Sequence, residues 1–122
     1  MRLTRLVPTL YTRDVRGSVD FYVNALGFEH DGPDGEGMAF VSRDEVSIMF
    51  AWPNAHMPFE APALTGALYI HCDDVDEAWT KVKDLARVCY PIEDFDYGMR
   101  EFAIFDNNGY LLQFGQEIDA AS

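Results

Sequence analysis

The feature that most constrains the fold is a weak internal repeat with an offset of sixty residues. The segment PTLYTRDV, which begins at Pro8, aligns without a gap with LYIHCDDV, which begins at Leu68. In both copies a short β-rich run ends in an aspartate, Asp14 or Asp74, that can cap a helix. The chain is therefore expected to build one supersecondary module twice.

Apolar residues follow each aspartate at helical spacing. The first stripe is stopped by Gly27, and the second has the better periodicity. Both segments are therefore predicted to be amphipathic helices. The stripes consist of Val15, Val19, Tyr22 and Leu26 in the first copy and Val75, Ala78, Trp79, Val82, Leu85 and Ala86 in the second.

Strand-forming segments follow each helix. GMAFVSRDEVSIMFAW predicts a hairpin that turns at residues 43–45, and MREFAIFDNNGYLLQFGQ predicts another that turns at residues 107–109. A short strand is predicted around Arg87 to Tyr90, whereas DGPDGEG is interpreted as a flexible glycine-rich loop.

These elements predict an α+β fold with two βαβββ modules. The modules cover about residues 5–52 and 67–116, and the proline-containing segment 53–66 is the predicted linker within one domain, 1–122. The two sheets are expected to join into one curved mixed sheet with the helices outside. We call the face of this sheet that lies away from the helices the cup.

Charge and composition limit the function classes. Nine basic residues against 21 acidic ones give a net charge of -12, which argues against a nucleic-acid partner and favours cationic small molecules. No apolar run approaches the roughly 18 residues that a membrane-spanning helix needs. The N-terminus does not read as a signal peptide, and two cysteines are too few for a disulfide framework. A cytoplasmic protein is the expectation.

Two longer segments resemble the signatures of a known family. VPTLYTRDVRGSVDFYVNALGF resembles the opening signature of the vicinal oxygen chelate superfamily, which includes glyoxalase I, extradiol dioxygenases, and fosfomycin and bleomycin resistance proteins. YGMREFAIFDNNGYLLQFGQ is similar to its closing signature. The resemblance covers nearly the whole chain and is nearest to the bleomycin-binding antibiotic resistance proteins. It implies the paired βαβββ fold and a homodimer.

The resemblance also implies where the enzymes of the superfamily hold a divalent metal. Those positions carry Val7, Ala67 and Gln113 in this chain, and the middle of the first hairpin offers Ser47 and Met49. Valine and alanine cannot coordinate a metal, and an amide is a weak ligand for transition metals. We therefore predict no metal and no cofactor. Gln113 either contacts a polar group of a bound ligand or bonds to neighbouring protein groups.

Strand alternation from these positions predicts an apolar, aromatic cup that suits a flat ligand. Trp52 is expected at its rim, and Tyr97 stands where the family has a tryptophan. Pro33 and Met38 replace phenylalanines of the drug-binding relative, which argues for a ligand other than bleomycin. The predicted ligand-binding residues are Met38, Phe40, Met49, Trp52, Tyr69, His71, Tyr97, Glu101 and Gln113.

The three histidines, with Arg100 and Glu101 of the closing signature, are the remaining titratable candidates. His71 beside Glu101 would form a general acid–base pair, although a hydrogen-bonded structural histidine is the other interpretation. Arg100 is interpreted as a member of a structural ion pair. His30 and His56 are interpreted as solvated.

The sequence thus predicts a metal-free protein that sequesters a hydrophobic or cationic planar molecule, bleomycin-like or different. No catalytic residue is assigned. One alternative is a metal-dependent glyoxalase- or dioxygenase-like enzyme with non-standard ligands such as His71 and Glu101. Another is a non-catalytic partner in a larger assembly.

Overall fold

The computed structural model describes residues 1–118, and of Pro33 the backbone alone. It contains two helices and eight strands in this range, in the order βαβββ twice. No helix among these residues is long and apolar enough to cross a membrane. The elements are β1 (Thr9–Tyr11), α1 (Val15–Asn24), β2 (Glu29–Gly35), β3 (Met38–Arg43), β4 (Val46–Ala51), β5 (Leu68–His71), α2 (Val75–Val82), β6 (Arg87–Phe95), β7 (Met99–Phe105) and β8 (Leu111–Glu117).

Each repeat builds its own four-stranded sheet. The strand order is β1-β4-β3-β2 in the first and β5-β8-β7-β6 in the second. In each sheet the first strand runs parallel to the last, and the other neighbours are antiparallel. The α+β class and the two βαβββ modules predicted from the repeat are therefore confirmed. The first compact unit spans Met1–Pro62, and the second begins at Ala63.

Both helices begin as the repeat predicts. The Asp14 carboxylate accepts a hydrogen bond from the N–H of Gly17 at 2.9 Å, and the Asp74 carboxylate accepts one from the N–H of Glu77 at 3.1 Å. Each side chain thereby satisfies one of the free N–H groups of a helix start. The duplicated aspartate is therefore a duplicated helix cap.

Each module has its own core between helix and sheet. In the first, the Tyr22 ring of α1 packs edge-on against Phe28 and Phe50, with ring centroids 5.4 and 4.9 Å away. In the second, Trp79 of α2 packs against Phe102, which stacks on Phe114 at 5.2 Å. Each helix therefore covers one face of its own sheet.

Three sequence predictions were wrong in their extent. The segment interpreted as a glycine-rich loop forms β2, which pairs with β3 through an irregular register between Asp31 and Gly35. Strand β6 continues to Phe95 rather than ending at Tyr90. Helix α2 ends at Val82, and Leu85, which was assigned to its apolar stripe, is 55% exposed. Pairing with a neighbouring strand outweighs local propensity in the first two cases.

Candidate functional site

The side chains that could bind a ligand lie on the sheet faces that their own helices do not cover. In the second module Phe102, Ile104, Leu112 and Phe114 are buried on the side of α2. Because strand residues alternate between faces, their neighbours in β7 and β8 point to the other side. We call that side the helix-free face. On it lie Glu101, Ala103, Gln113 and Gly115.

A buried carboxylate is the centre of this face in the second module. Glu101 is 1% exposed, and three tyrosine hydroxyls donate to it. Oε1 accepts from Tyr69 at 3.0 Å and from Tyr97 at 2.6 Å, while Oε2 accepts from Tyr90. We call these four residues the tyrosine–carboxylate cluster.

Two small residues provide the space for the cluster. Gly115 of β8 is the register partner of Glu101 in β7 and of His71 in β5. A Cβ atom on Gly115 would lie 1.9 Å from the hydroxyl oxygen of Tyr69, so any larger residue would exclude that phenol. Ala103 pairs with Tyr90 on one side and with Gln113 on the other. Its methyl group leaves room for the long side chains of both neighbours.

Tyr97 reaches the cluster from a turn rather than from a strand. It lies between β6 and β7, next to Gly98, whose φ of +82° is a left-handed value that favours glycine. The ring of Tyr97 stacks on that of Phe95 with centroids 5.5 Å apart. With 64% exposure, Tyr97 is the outermost member of the cluster.

The cluster stabilises Glu101 as an anion. Burial alone would raise the pKa of this carboxyl, but the donated hydrogen bonds of Tyr90, Tyr97 and Tyr69 outweigh burial and hold the pKa below its usual value. The same hydrogen bonds work in the opposite direction on the phenols. Burial and the bond to Glu101 raise the pKa of Tyr90 to about 12, and the bond to Glu101 and burial raise that of Tyr97 to about 12. At neutral pH the cluster therefore holds one negative charge and three protonated phenols.

Four of the predicted ligand-binding residues come together here. Tyr69, Tyr97 and Glu101 are members of the cluster, and Gln113 adjoins it through its Nε2, which donates to the Tyr90 hydroxyl at 3.0 Å. The amide N–H of Gln113 thus bonds to a neighbouring protein group, as one of its two interpretations states. Its carbonyl oxygen accepts no hydrogen bond from residues 1–118, so it is available to a ligand.

An acid–base pair of His71 and Glu101 was one of two interpretations, and no hydrogen bond joins these two residues in the described part of the chain. His71 is exposed at the end of β5, and its ring packs against Tyr69 with centroids 5.0 Å apart. The hydrogen-bond donors to Glu101 within residues 1–118 are all tyrosines. Such an arrangement transfers protons poorly, because a carboxylate of lowered pKa is a weak base and phenols of raised pKa are weak acids.

Tyr90 was missed by sequence reasoning. The predicted strand ended at this residue, so its side chain was not assigned to a face. The apolar residues Val88, Tyr90 and Ile92 at every second position were the sequence signal that could have extended the strand. In the structure these three side chains are half-buried and their neighbours are exposed.

The first module presents a different helix-free face. Met38 and Phe40 alternate with buried Ala39 and Val41 in β3, and Met49 pairs with Phe40 across β3 and β4. The three predicted residues are half-buried. Strand register makes Met38 the counterpart of Glu101. Met38 pairs with Ala51, which pairs with Tyr11 at the end of β1. Glu101 pairs in the same way with Gly115, which pairs with His71 at the end of β5. The first module therefore carries the thioether of Met38 where the second carries the charge of Glu101.

Trp52, predicted at the rim, is 50% exposed and follows β4. Its ring covers Gly37, where a Cβ atom would lie 2.2 Å from the indole. Trp52 and Met38 also line a cavity of about 600 Å³ within the first module. The other residues of this cavity are Arg13, Asp14, Val15, Arg16, Val19, Asp20, His30, Asp34, Gly35, Gly37 and Ala39.

His30 and Arg100 both bond to carboxylates of the protein. His30, interpreted as solvated, bonds to the Asp34 carboxylate at 2.9 Å with both side chains partly exposed. Arg100 bonds to Asp94 at 2.7 Å and to Asp76 at 3.1 Å, which agrees with its interpretation as an ion-pair member. The two ion pairs of Arg100 border an acidic depression of about 610 Å³ in the second module.

The residues at the metal positions implied by the resemblance do not fit a metal. Val7 and Ala67 have no donor atoms, and the amide nitrogen of Gln113 is bonded to Tyr90. Residues 1–118 contain no group of three or more His, Cys, Asp or Glu side chains arranged to hold an ion. No reaction step through a metal follows from this donor set.

Comparison with known proteins identifies relatives over most of the chain. A family model described as the Glyoxalase/Bleomycin resistance protein/Dioxygenase superfamily matches residues 2–114. A bleomycin resistance protein of Geobacillus stearothermophilus is 26% identical over 132 aligned positions, which cover 92% of this chain and 96% of that protein. Bleomycin resistance proteins of Staphylococcus aureus match to the same extent.

Solved structures share the fold. A superfamily member from Sphaerobacter thermophilus DSM 20745 superposes with a TM-score of 0.79 at 21% identity and covers 95% of this chain and 98% of its own. A lactoylglutathione lyase from Agrobacterium tumefaciens gives a TM-score of 0.70 at 20% identity, covering 93% and 92%. At these identities the likeness extends to the fold alone.

Proposed function

The chain belongs to the Glyoxalase/Bleomycin resistance protein/Dioxygenase superfamily, and from that premise we propose that it sequesters a planar, hydrophobic or cationic small molecule without a metal. Binding, rather than conversion, protects the cell in this proposal. The ligand is of the bleomycin type or another flat molecule of similar chemistry.

The donor set at the metal positions is the observation that supports this proposal most. The side chains of Val7 and Ala67 cannot coordinate an ion, and the carboxylate oxygens of Glu101 already accept hydrogen bonds from three tyrosine hydroxyls. Glu101 and Tyr90 are also held in their resting protonation states at neutral pH, since the pKa of Glu101 is lowered and that of Tyr90 is raised. Such groups bind and orient a ligand better than they transfer protons.

The side chains supply the contacts that a flat ligand needs. Phe40 and Met49 offer an apolar, polarisable surface in the first module, and the stacked rings of Phe95 and Tyr97 offer an aromatic surface in the second. The free carbonyl of Gln113 adds a hydrogen-bond acceptor.

Ligand titration tests the proposal directly. Purified protein is titrated with bleomycin and with a panel of planar cations while tryptophan fluorescence is recorded, and the ligand is afterwards recovered and analysed. Trp52→Phe separates the half-exposed Trp52 from Trp79, which packs against Phe102. Saturable binding with unchanged ligand is the expected result. Conversion of the ligand, or the absence of binding across the panel, would overturn the proposal.

Elemental analysis tests the alternative of a metal-dependent enzyme. Protein purified without chelator is incubated with Zn, Mn, Ni or Fe(II) and then dialysed. We expect less than stoichiometric metal after dialysis. Retention of one ion per chain would instead support an enzyme with non-standard ligands, with His71 and Glu101 as the first residues to replace.

The proposal includes a cytoplasmic homodimer formed by one domain over residues 1–122, with modules at about 5–52 and 67–116 and a linker at 53–66. Within residues 1–118 neither Cys72 nor Cys89 forms a disulfide, which suits a reducing compartment. Light scattering coupled to size-exclusion chromatography measures the oligomeric state. A monomer at all concentrations would contradict this part of the proposal.

A further inference from the structure

Glu101 carries a buried charge without a basic partner. Its side chain is 1% exposed, and its hydrogen-bond partners among the described residues are neutral phenols. None of the ion pairs within residues 1–118 includes it. Hydroxyl donors satisfy lone pairs of a carboxylate but leave its charge uncompensated.

A second carboxylate lies opposite Glu101 in the sheet. Glu93 is the register partner of Glu101 across β6 and β7, so both side chains point to the helix-free face. Glu93 is exposed, whereas Glu101 is not. The two carboxylates give this part of the helix-free face a negative charge, which favours a cation over an anion.

Tyr97 is the most exposed of the three tyrosines that donate to Glu101, so its side of the carboxylate is the route by which a cation would arrive. Tyr69 and Tyr90 are half-buried, whereas Tyr97 is 64% exposed and belongs to the turn between β6 and β7. Its hydroxyl lies 2.6 Å from Oε1 of Glu101. Loss of the Tyr97 contact would free one acceptor site on Oε1, which would still accept from Tyr69, beside the stacked Phe95 and Tyr97 rings.

We propose that Glu101 is the charge-recognition residue of the ligand site: an N–H-donating planar cation, of the amidinium or guanidinium type, displaces the Tyr97 hydroxyl and pairs with the Glu101 carboxylate. Planar cations of this kind match a carboxylate through two parallel hydrogen bonds. The flat body of the ligand contacts the rings of Phe95 and Tyr97, which also favour a cation. This inference rests on the proposed binding function and names the chemistry that the site selects.

A pair of isosteric probes tests the selection. Benzamidinium and neutral benzamide have nearly the same shape, and their binding is measured by NMR titration of isotope-labelled protein. We expect at least a tenfold preference for benzamidinium, since truncating or neutralising one partner of a charge pair has effects of that order or larger. We also expect Glu101→Gln to abolish the preference.

A matched variant separates recognition from the general acidity of the protein. Glu45→Gln removes one charge at an exposed position in the turn between β3 and β4 of the first module. It should retain the full preference. Equal loss of preference in Glu45→Gln and Glu101→Gln would show that net charge alone attracts the cation, and would overturn the proposal.

Tyr97→Phe tests the displacement without removing the charge. If the hydroxyl competes with the ligand, its removal should tighten benzamidinium binding several-fold while leaving benzamide unaffected. Unchanged or weaker benzamidinium binding would refute displacement. This measurement remains decisive if Glu101→Gln fails to fold.

The outcomes distinguish this inference from the function on which it rests. If planar ligands bind but benzamidinium and benzamide bind equally well, the charge recognition fails and the binding function stands. If no planar compound binds, both fail.

Discussion

The hydroxyl of Tyr69 lies 3.0 Å from Oε1 of Glu101, in space that is open only because residue 115 is a glycine. The donor comes from β5 and the acceptor from β7, which are not neighbours, since β8 lies between them. Contact across an intervening strand requires a residue without a side chain at the crossing point.

Gly115→Ala should therefore destabilise the protein. The new Cβ atom would lie 1.9 Å from the Tyr69 oxygen, so the phenol must move and Glu101 loses a donor. We expect a loss of roughly 1–3 kcal/mol in the free energy of unfolding, measured by urea denaturation. Gly66→Ala is the matched control, because nothing lies within 4 Å of a Cβ atom there. Its effect should stay within about 0.5 kcal/mol, and an equal loss in both variants would contradict the explanation.

Alkaline titration should separate the tyrosines of the cluster from the others. The chain has six tyrosines, and the pKa values of Tyr90 and Tyr97 are raised from 10.0 to about 12. Their tyrosinate absorbance should consequently appear late in the titration. In Glu101→Gln these phenols should ionise closer to 10.0 because the adjacent charge is gone. Identical titration curves for the two proteins would argue against the cluster.

The same shifts predict how stability changes in alkali. A phenol whose pKa is higher in the folded than in the unfolded state contributes stability below the unfolded pKa, and that contribution disappears as pH rises through the folded pKa. For Tyr90 the window runs from 10.0 to about 12. Thermal unfolding across this range should show a steeper loss of stability in the unaltered protein than in Tyr90→Phe.

In acid the sign is reversed for Glu101. Its pKa in the folded state lies below its usual value of 4.5, so its contribution is present above 4.5 and is lost as pH falls through the lower folded value. Glu101→Gln should be roughly 1–3 kcal/mol less stable than the unaltered protein at neutral pH, because the amide retains only one acceptor oxygen. The difference should shrink below pH 4.5. A gap that stays constant down to acid unfolding would contradict the lowered pKa.

The turn between β7 and β8 depends on Asp106. Its side chain is 6% exposed, and Oδ1 accepts the N–H groups of Asn108 at 2.8 Å and Tyr110 at 2.9 Å. Asp106→Ala leaves both donors without that acceptor, and we expect a loss of about 2 kcal/mol in unfolding free energy. Asp106→Asn keeps an oxygen at this position and should lose less than half as much. If the two variants are equally unstable, the charge rather than the acceptor holds the turn.

Much of the site could be assigned to a face before the structure was known. Tyr69, Glu101 and Gln113 were placed on one face by strand alternation counted from the positions that the family resemblance implies, and the structure brings them into one hydrogen-bonded group. His71 was placed on the same face by the same rule but does not contact Glu101. Alternation gives the side of a sheet but not the distance between two side chains that share it.

The sequence by itself determined the architecture. The repeated Asp-capped helices, at Asp14 and Asp74, and the turn residues of the two hairpins specify local structures, and local structure depends on nearby residues. Only the tertiary structure decided that Tyr90 and Tyr97 enclose Glu101. That outcome depends on the register of β5, β6 and β7 and on the space left by Ala103 and Gly115, which are relations between residues far apart in the chain. Such relations are set by packing across strands, and no single segment encodes them.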